Sequence, residues 1–157
     1  MPNAGFTELL LAMLALLLVV AAVIDMRTFT ISNRLNLAVA ALAPVYWWSI
    51  GLPPWPDAAI QVAAAAIVFA LLAGLFFAGV MGGGDVKLAA ALALWFSPPS
   101  TVRFLVIMSI AGGVLTLVVL AVHRLRRKQG RPEVPYGVAI AIGGLAILTQ
   151  RFLNQFA

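Results

Sequence analysis

Long apolar stretches, separated by short polar or proline-containing segments, dominate this chain and restrict the folds open to it. Of its 157 residues, 64% are hydrophobic and only 10% are charged, whereas soluble domains are about half apolar and about a quarter charged. A helix needs about 20 mostly apolar residues to cross a membrane, so this length allows about six crossings. We predict an all-α polytopic membrane protein in which residues 1–157 form a single integral-membrane domain.

Prolines, glycines and charged residues divide the apolar sequence into six predicted helices. Prolines interrupt helices, and they cluster in the segments GLPPWP (51–56) and SPPS (97–100). The predicted helices cover residues 6–24, 35–50, 57–80, 84–97, 102–122 and 135–149. The apolar run after Asp85 gives only about 16 Å of helix, roughly half of a 30 Å hydrocarbon core. Either the preceding glycines enter the membrane, or Asp85 faces a water-filled recess.

The distribution of lysine and arginine predicts the orientation of the helices. Basic residues follow the first helix, accompany the junction before the fourth, and follow the fifth, where residues 123–131 read HRLRRKQGR. By the positive-inside rule these three junctions are cytoplasmic, so both termini lie outside. Arg103 and Arg151 are the exceptions to this distribution.

Composition also excludes several classes of function. The chain has no cysteine, which removes disulfides, thiol catalysis and zinc-thiolate sites. We therefore expect no metal site and no cofactor. The net charge of +5 comes from basic clusters between apolar runs. Such clusters set membrane orientation and meet anionic lipid, so we expect no nucleic-acid binding.

Two of the five acidic residues, Asp25 and Asp85, border apolar helices on the same predicted membrane face. A carboxylate near lipid costs roughly 2.5 to 3.5 kcal/mol on insertion scales, which makes each a candidate functional residue. The alternative is that each only ends or caps a helix at the interface. Gly82, Gly83 and Gly84 favour function, because glycines weaken a helix but allow another backbone, such as that of a substrate, to approach closely.

Two neighbouring carboxyl groups can hydrolyse a peptide bond without a metal. The ionised group takes a proton from water, and the protonated group donates to the carbonyl oxygen or the leaving amine. Like charges a few ångströms apart do not both ionise cheaply, so the pair shares one proton. The helix dipole predicts that Asp85, which opens a helix, is the base and that Asp25, which follows the end of one, is the acid.

The motif GGGD followed by VKL, with an upstream aspartate and a downstream VPYG, resembles the type IV prepilin peptidases of the GxGD aspartyl protease class. In that family an aspartate at the end of the first helix precedes a basic stretch and an Ile-Pro-Asn-like triplet. Asp25, Arg27 and residues 31–33 (ISN) match this pattern, with Ser32 where proline is usual. The resemblance implies that Asp25 and Asp85 are the catalytic pair. The residues that it implies for substrate binding or support are Gly82, Gly83, Gly84, Lys87, Asn33, Pro135, Tyr136 and Gly137.

The short chain without cysteine is similar to the minimal, peptidase-only branch associated with tight-adherence (Tad/Flp) pili. The larger enzymes carry a zinc-binding insert and an N-methyltransferase activity, which the resemblance does not imply here. It implies an enzyme of the bacterial inner membrane that removes prepilin leaders on the cytoplasmic side and serves pilus biogenesis and protein secretion. Its expected partners are a prepilin, with a short leader before a hydrophobic helix, and membrane lipids.

Three points stay open at this level. The sequence does not decide whether the chain forms a homo-oligomer. A transporter or channel subunit is an alternative function, in which a glycine-broken helix and the aspartates bind a cation or a proton. An inactive scaffold within a secretion complex is another, and it needs no acid pair.

Overall fold

A computed structural model describes residues 4–126 and 132–153, and six α-helices make up most of these two ranges. The helices are α1 (Ala4–Thr28), α2 (Asn33–Ser49), α3 (Ala59–Phe77), α4 (Gly83–Ala93), α5 (Pro98–Leu125) and α6 (Tyr136–Leu153). A π-helical turn, Pro54–Ala58, leads into α3. No strand occurs in the described ranges, where the all-α prediction is confirmed. Three residues of the predicted basic cluster, Arg127, Lys128 and Arg131, lie outside them.

Four helical segments are long and apolar enough to cross a membrane. These segments are Ala4–Thr28, Pro54–Phe77, Pro98–Leu125 and Tyr136–Leu153. In the described part of the chain, α2 has 17 residues and α4 has 11, and neither meets this criterion. The chain is therefore a membrane protein, but the prediction of six spanning helices is supported for four of them.

Several helices begin or end at residues other than those predicted. α1 continues from the predicted end at Ile24 to Thr28, so Asp25 lies inside its last turns. α2 begins at Asn33, because the Ser32 hydroxyl caps it by accepting a hydrogen bond from the Leu35 N–H at 3.3 Å. α5 begins at Pro98 instead of residue 102, since proline fits the first turn of a helix, where N–H groups lack helical partners.

The remaining differences shorten two helices and lengthen one. α3 ends at Phe77 rather than residue 80, and Gly79 follows with a positive φ of 71°, which a continuing helix does not contain. α4 ends at Ala93 rather than residue 97, and four residues separate it from Pro98, which opens α5. α6 extends to Leu153, past the predicted end at residue 149.

The shortest helix, α4, lies at the centre of the fold. Seven of its 11 residues are buried, and it packs against α2, α3 and α6. Trp95, two residues after its end, is buried, stacks on Tyr46 and donates its indole N–H to the Val39 carbonyl at 2.9 Å. Because protein rather than lipid surrounds α4, its length need not match the thickness of a membrane.

Close packing of α5 against α6 depends on Gly143. A Cβ atom at this position would lie 3.1 Å from the Phe104 carbonyl oxygen and 3.2 Å from the Met108 Cβ. Small residues at such contacts let two membrane helices approach closely. A side chain larger than hydrogen would therefore force α5 and α6 apart.

We expect Gly143→Leu to destabilise the protein by about 1 to 3 kcal/mol, the usual cost of overpacking a well-packed contact. Gly74→Leu is the matched control, because a Cβ at Gly74 has no atom within 4 Å. Reversible unfolding in mixed micelles, followed by tryptophan fluorescence, measures both changes. Equal stability of the two variants would contradict the close packing at Gly143.

Candidate active site

The Asp25 carboxyl group is held between two helices. Asp25 lies near the end of α1, and only 2% of the residue is exposed. Its Oδ2 accepts a hydrogen bond of 2.7 Å from the N–H of Gly137, in the first turn of α6, and the Val138 N–H also interacts with the carboxyl group. The first N–H groups of a helix have no partner within that helix, and they carry the positive end of its dipole. α6 therefore supplies a binding site for the Asp25 carboxylate.

Gly137 makes this contact sterically possible. A Cβ at Gly137 would lie 2.8 Å from Oδ2 and 2.9 Å from Cγ of Asp25, and 2.7 Å from Cδ1 of Ile31. No side chain fits in that space without moving the carboxyl group or the helix. The downstream motif VPYG thus contributes its glycine directly to the environment of Asp25.

The Asp85 carboxyl group occupies the first turn of α4. Asp85 is 8% exposed, and its Oδ2 accepts a hydrogen bond of 3.2 Å from the Gly82 N–H at the start of the same helix. Although 60 positions (85 − 25) separate them in the sequence, Asp25 and Asp85 are near enough to interact electrostatically. The fold therefore brings together the two aspartates that the sequence singles out.

The three glycines before Asp85 have different surroundings. A Cβ at Gly84 would lie 2.7 Å from the Ile31 carbonyl oxygen, whereas one at Gly83 would lie 3.3 Å from an edge carbon of the Phe76 ring. A Cβ at Gly82 would lie 2.8 Å from Oδ2 of Asp85 itself. Sequence reasoning assigned the bare backbone to an approaching substrate. At Gly84, the backbone that approaches is that of the chain's own loop between α1 and α2.

Two hydrogen bonds join the start of α2 to the start of α4. The Asn36 side chain donates from Nδ2 to the Gly84 carbonyl at 3.0 Å, and Lys87 Nζ donates to Oδ1 of Asn33 at 2.9 Å. Asn33 and Lys87 are thus brought together with each other rather than with the carboxyl pair. Their exposed hydrogen bond, like the partly buried one from Asn36, ties the GGGD segment to α2.

Asn36 is a site residue that sequence reasoning missed. It is buried, and its Oδ1 has no hydrogen-bond partner in the described part of the chain. A usable signal was present, because Asn36 is a polar residue within an apolar helix and follows Asn33 by three positions. Residues three apart lie on the same face of a helix.

Pro135 and Tyr136 lie at the start of α6 and position it. Pro135 is buried immediately before the helix. The Tyr136 ring packs against α5, where a Cβ at Gly112 would lie 3.4 Å from its Cε1, and its hydroxyl lies 3.5 Å from the Thr116 hydroxyl. These contacts fix the first turn of α6 and with it the N–H groups that face Asp25.

The structure removes the basis of the predicted acid and base roles. That prediction rested on the dipole of α1, whose negative end disfavours charge on Asp25. The first turn of α6 opposes this effect with its own N–H groups, as the first turn of α4 does for Asp85. Each carboxyl group thus faces the first turn of a helix, and helix dipoles no longer distinguish the roles. No cluster of three or more His, Cys, Asp or Glu side chains occurs in residues 4–126 and 132–153.

A comparison with protein-family models relates this arrangement to known proteins. The model of the type IV leader peptidase family matches residues 12–117, more than half of the chain, and this range contains both Asp25 and Asp85. No curated protein and no solved structure matches the chain. The family implies a protease with a function like that of the prepilin leader peptidases. The chain therefore belongs to the type IV leader peptidase family.

Proposed function

We propose that this chain is an aspartic endopeptidase that removes the leader of a type IV prepilin, using water activated between Asp25 and Asp85. The observation that carries the proposal is the pairing of two buried carboxyl groups, on separate helices, within electrostatic range of each other. Burying an ionised carboxyl group destabilises the fold unless its charge is compensated. A functional pair explains why two such groups share one place in an apolar bundle.

The pair supplies both proton transfers that hydrolysis of a peptide bond needs. With one proton shared between the two groups, the ionised carboxylate accepts a proton from water, and the resulting hydroxide attacks the scissile carbonyl carbon. The protonated carboxyl donates its proton to the carbonyl oxygen, which gives a gem-diol. When the C–N bond breaks, the carboxyl that took the water proton donates it to the leaving amine, and the other carboxylate takes a proton from a hydroxyl of the gem-diol. The site ends each cycle with one proton on the pair, as it began.

We place this site on the cytoplasmic face of a bacterial inner membrane. Arg27 and Arg34 flank the loop after Asp25, and the basic end of α5 carries His123, Arg124 and Arg126. α5 passes Tyr136, at the start of α6, before it ends in these basic residues. Asp25 is hydrogen-bonded to the same end of α6. The basic residues and Asp25 therefore lie at the same end of the bundle. Positive charge concentrates on the cytoplasmic side of membrane proteins.

We propose that the substrates are prepilins of the tight-adherence type, each with a hydrophobic helix that follows the leader. Both carboxyl groups lie at one end of four apolar, membrane-length segments. A substrate helix in the same membrane would therefore present its leader at the depth of the pair. In this proposal α2 and α4 complete the six-helix bundle within the membrane and hold the loop and the GGGD segment beside Asp25.

We expect Asp25→Asn and Asp85→Asn each to reduce prepilin cleavage by about a hundredfold or more, because either change removes one of the two proton-transfer groups. Asp57→Asn is the matched control, since Asp57 is exposed in the turn before α3. The measurement is the size shift of a co-expressed tight-adherence prepilin. Cleavage that survives in either of the first two variants, at wild-type enzyme levels, would disprove the paired mechanism.

Alanine substitutions within the GGGD segment test whether cleavage requires its close contact with Ile31 or only a flexible backbone. Gly84→Ala places a methyl group 2.7 Å from the Ile31 carbonyl oxygen, whereas Gly83→Ala meets only a ring edge at 3.3 Å. We expect Gly84→Ala to abolish cleavage and Gly83→Ala to retain most of it, in the same co-expression assay. Equal loss in both variants would indicate that the segment needs flexible backbone rather than contact with Ile31.

Gly137→Ala tests the bond between Asp25 and α6 without removing a carboxyl group. The added methyl group would displace Oδ2 of Asp25, and a displacement near 1 Å can cost about a hundredfold in rate. Gly113→Ala is the control, because a Cβ there has no atom within 4 Å. Steady-state cleavage of a prepilin by the purified variants measures the effect. A wild-type rate for Gly137→Ala would show that the hydrogen bond is dispensable.

A further inference from the structure

A polar cavity lies at the end of the bundle opposite the carboxyl pair. Its volume is about 500 Å³, and it opens beside the ends of α2, α4 and α6 and the start of α5. The polar side chains that line it and that carry the inference are Tyr46, Gln61, Ser97, Ser100, Arg103 and Arg151. Arg151 follows Gly137 by 14 positions (151 − 137) on α6, which corresponds to about 21 Å along the helix. The cavity is therefore separate from the carboxyl pair.

The two arginines of this cavity, Arg103 and Arg151, are the two exceptions to the lysine and arginine distribution that predicts the orientation of the helices. Arg103, in the second turn of α5, and Arg151, in the last turn of α6, come together on its wall. The Arg151 guanidinium lies 5.2 Å from the centre of the Tyr46 ring. Among residues 4–126 and 132–153, no aspartate or glutamate lines this wall. Two positive charges thus face one cavity, and no carboxylate side chain of these two ranges lines it.

A buried polar atom on the same wall lacks a hydrogen-bond partner. Gln61 is only 8% exposed. In the described part of the chain, its Oε1 accepts no hydrogen bond. Unpaired buried polar groups are rare in folded proteins, and a bound molecule is one common explanation for them.

We propose that this cavity binds a phosphate group, held by Arg103 and Arg151. Guanidinium groups match phosphate because their N–H donors form paired, charge-assisted hydrogen bonds with its oxygens. The Ser97 hydroxyl donates to the Ser100 hydroxyl at 3.1 Å, which leaves the Ser100 O–H at the start of α5 as a further donor.

Gln61 refines the chemistry of this ligand. Its Oε1 is an acceptor, so it pairs with a hydrogen-bond donor beside the phosphate rather than with the phosphate itself. The ligand is thus a phosphate group accompanied by a hydroxyl or ammonium group. Both an anionic phospholipid headgroup and inorganic phosphate with water provide this chemistry. The cavity does not depend on the proposed peptidase mechanism.

The test uses the full chain, purified in detergent, and two probes: phosphatidylglycerol and inorganic phosphate. Native mass spectrometry counts bound lipid, and a thermal-shift titration gives an apparent Kd for each probe, since a ligand that binds the folded state stabilises it. We expect Arg103→Gln and Arg151→Gln each to weaken binding about tenfold or more, the usual loss for one charge-assisted hydrogen bond. Binding of the lipid alone identifies a headgroup site, and competition by inorganic phosphate identifies a free-phosphate site.

Arg124→Gln is the matched control, because Arg124 is exposed like Arg103 but lies near the opposite end of α5, away from the cavity. It removes the same charge, and we expect it to change the apparent Kd by less than about twofold, since solvent and salt screen a charge that lies far from the ligand. Equal weakening by all three substitutions would mean general attraction to anions and would overturn the proposal. Unchanged binding in Arg103→Gln and Arg151→Gln would overturn it as well.

Charge-preserving lysine variants control for the possibility that the glutamine variants do not fold. Arg103→Lys and Arg151→Lys keep the charge but lose the planar donor pair. We expect binding between that of the wild type and that of the glutamine variants. Lysine variants that fold and bind with wild-type affinity would contradict the recognition of phosphate by the guanidinium groups.

Discussion

The hydrogen bond from the Gly137 N–H to the Asp25 carboxylate, 2.7 Å long and buried, is the contact on which the arrangement of the site depends. A carboxyl group among apolar helices has no bulk water to satisfy it, so the protein must supply its donors. The first turn of α6 does so. Because a Cβ at Gly137 would overlap with Asp25, the same contact fixes the identity of that residue and the distance between α1 and α6.

The short central helix α4 carries the second carboxyl group of the site, that of Asp85. α4 begins with the GGGD segment, and α2 and the loop after α1 hold it through the Asn36 side chain and the close contact of Gly84 with Ile31. Since α4 is enclosed by α2, α3 and α6, its 11 residues suffice to present Asp85 to Asp25. The opposite ends of α4 and α6 lead to the cavity with Arg103 and Arg151. One end of the bundle thus holds the carboxyl pair, and the other holds a cavity with two arginines.

Much of this could be predicted from local patterns in the sequence. Apolar composition predicted the helical membrane fold, and Asp25 and Asp85 were identified from their places beside apolar runs and glycines. The end of α1 was misplaced because a charged residue was taken as the end of a helix, whereas Asp25 finds its donors on another helix. Asn36 was missed and the role of Gly137 was unexplained, because both depend on contacts between segments far apart in the sequence. Six spans stay a prediction for α2 and α4, because length and composition support only the other four helices as spans and do not show that protein surrounds α4.

The central claim is that the side chains at positions 25 and 85 meet within one site in the membrane. The chain has no cysteine, so a double variant, Asp25→Cys with Asp85→Cys, can be treated with a short bifunctional thiol reagent in native membranes and digested for mass spectrometry. The paired-carboxyl account predicts a crosslinked peptide joining the two positions, and none in the control that combines Asp25→Cys with Asp57→Cys. Labelling of both thiols by a monofunctional reagent, without any crosslink between positions 25 and 85, would contradict the account.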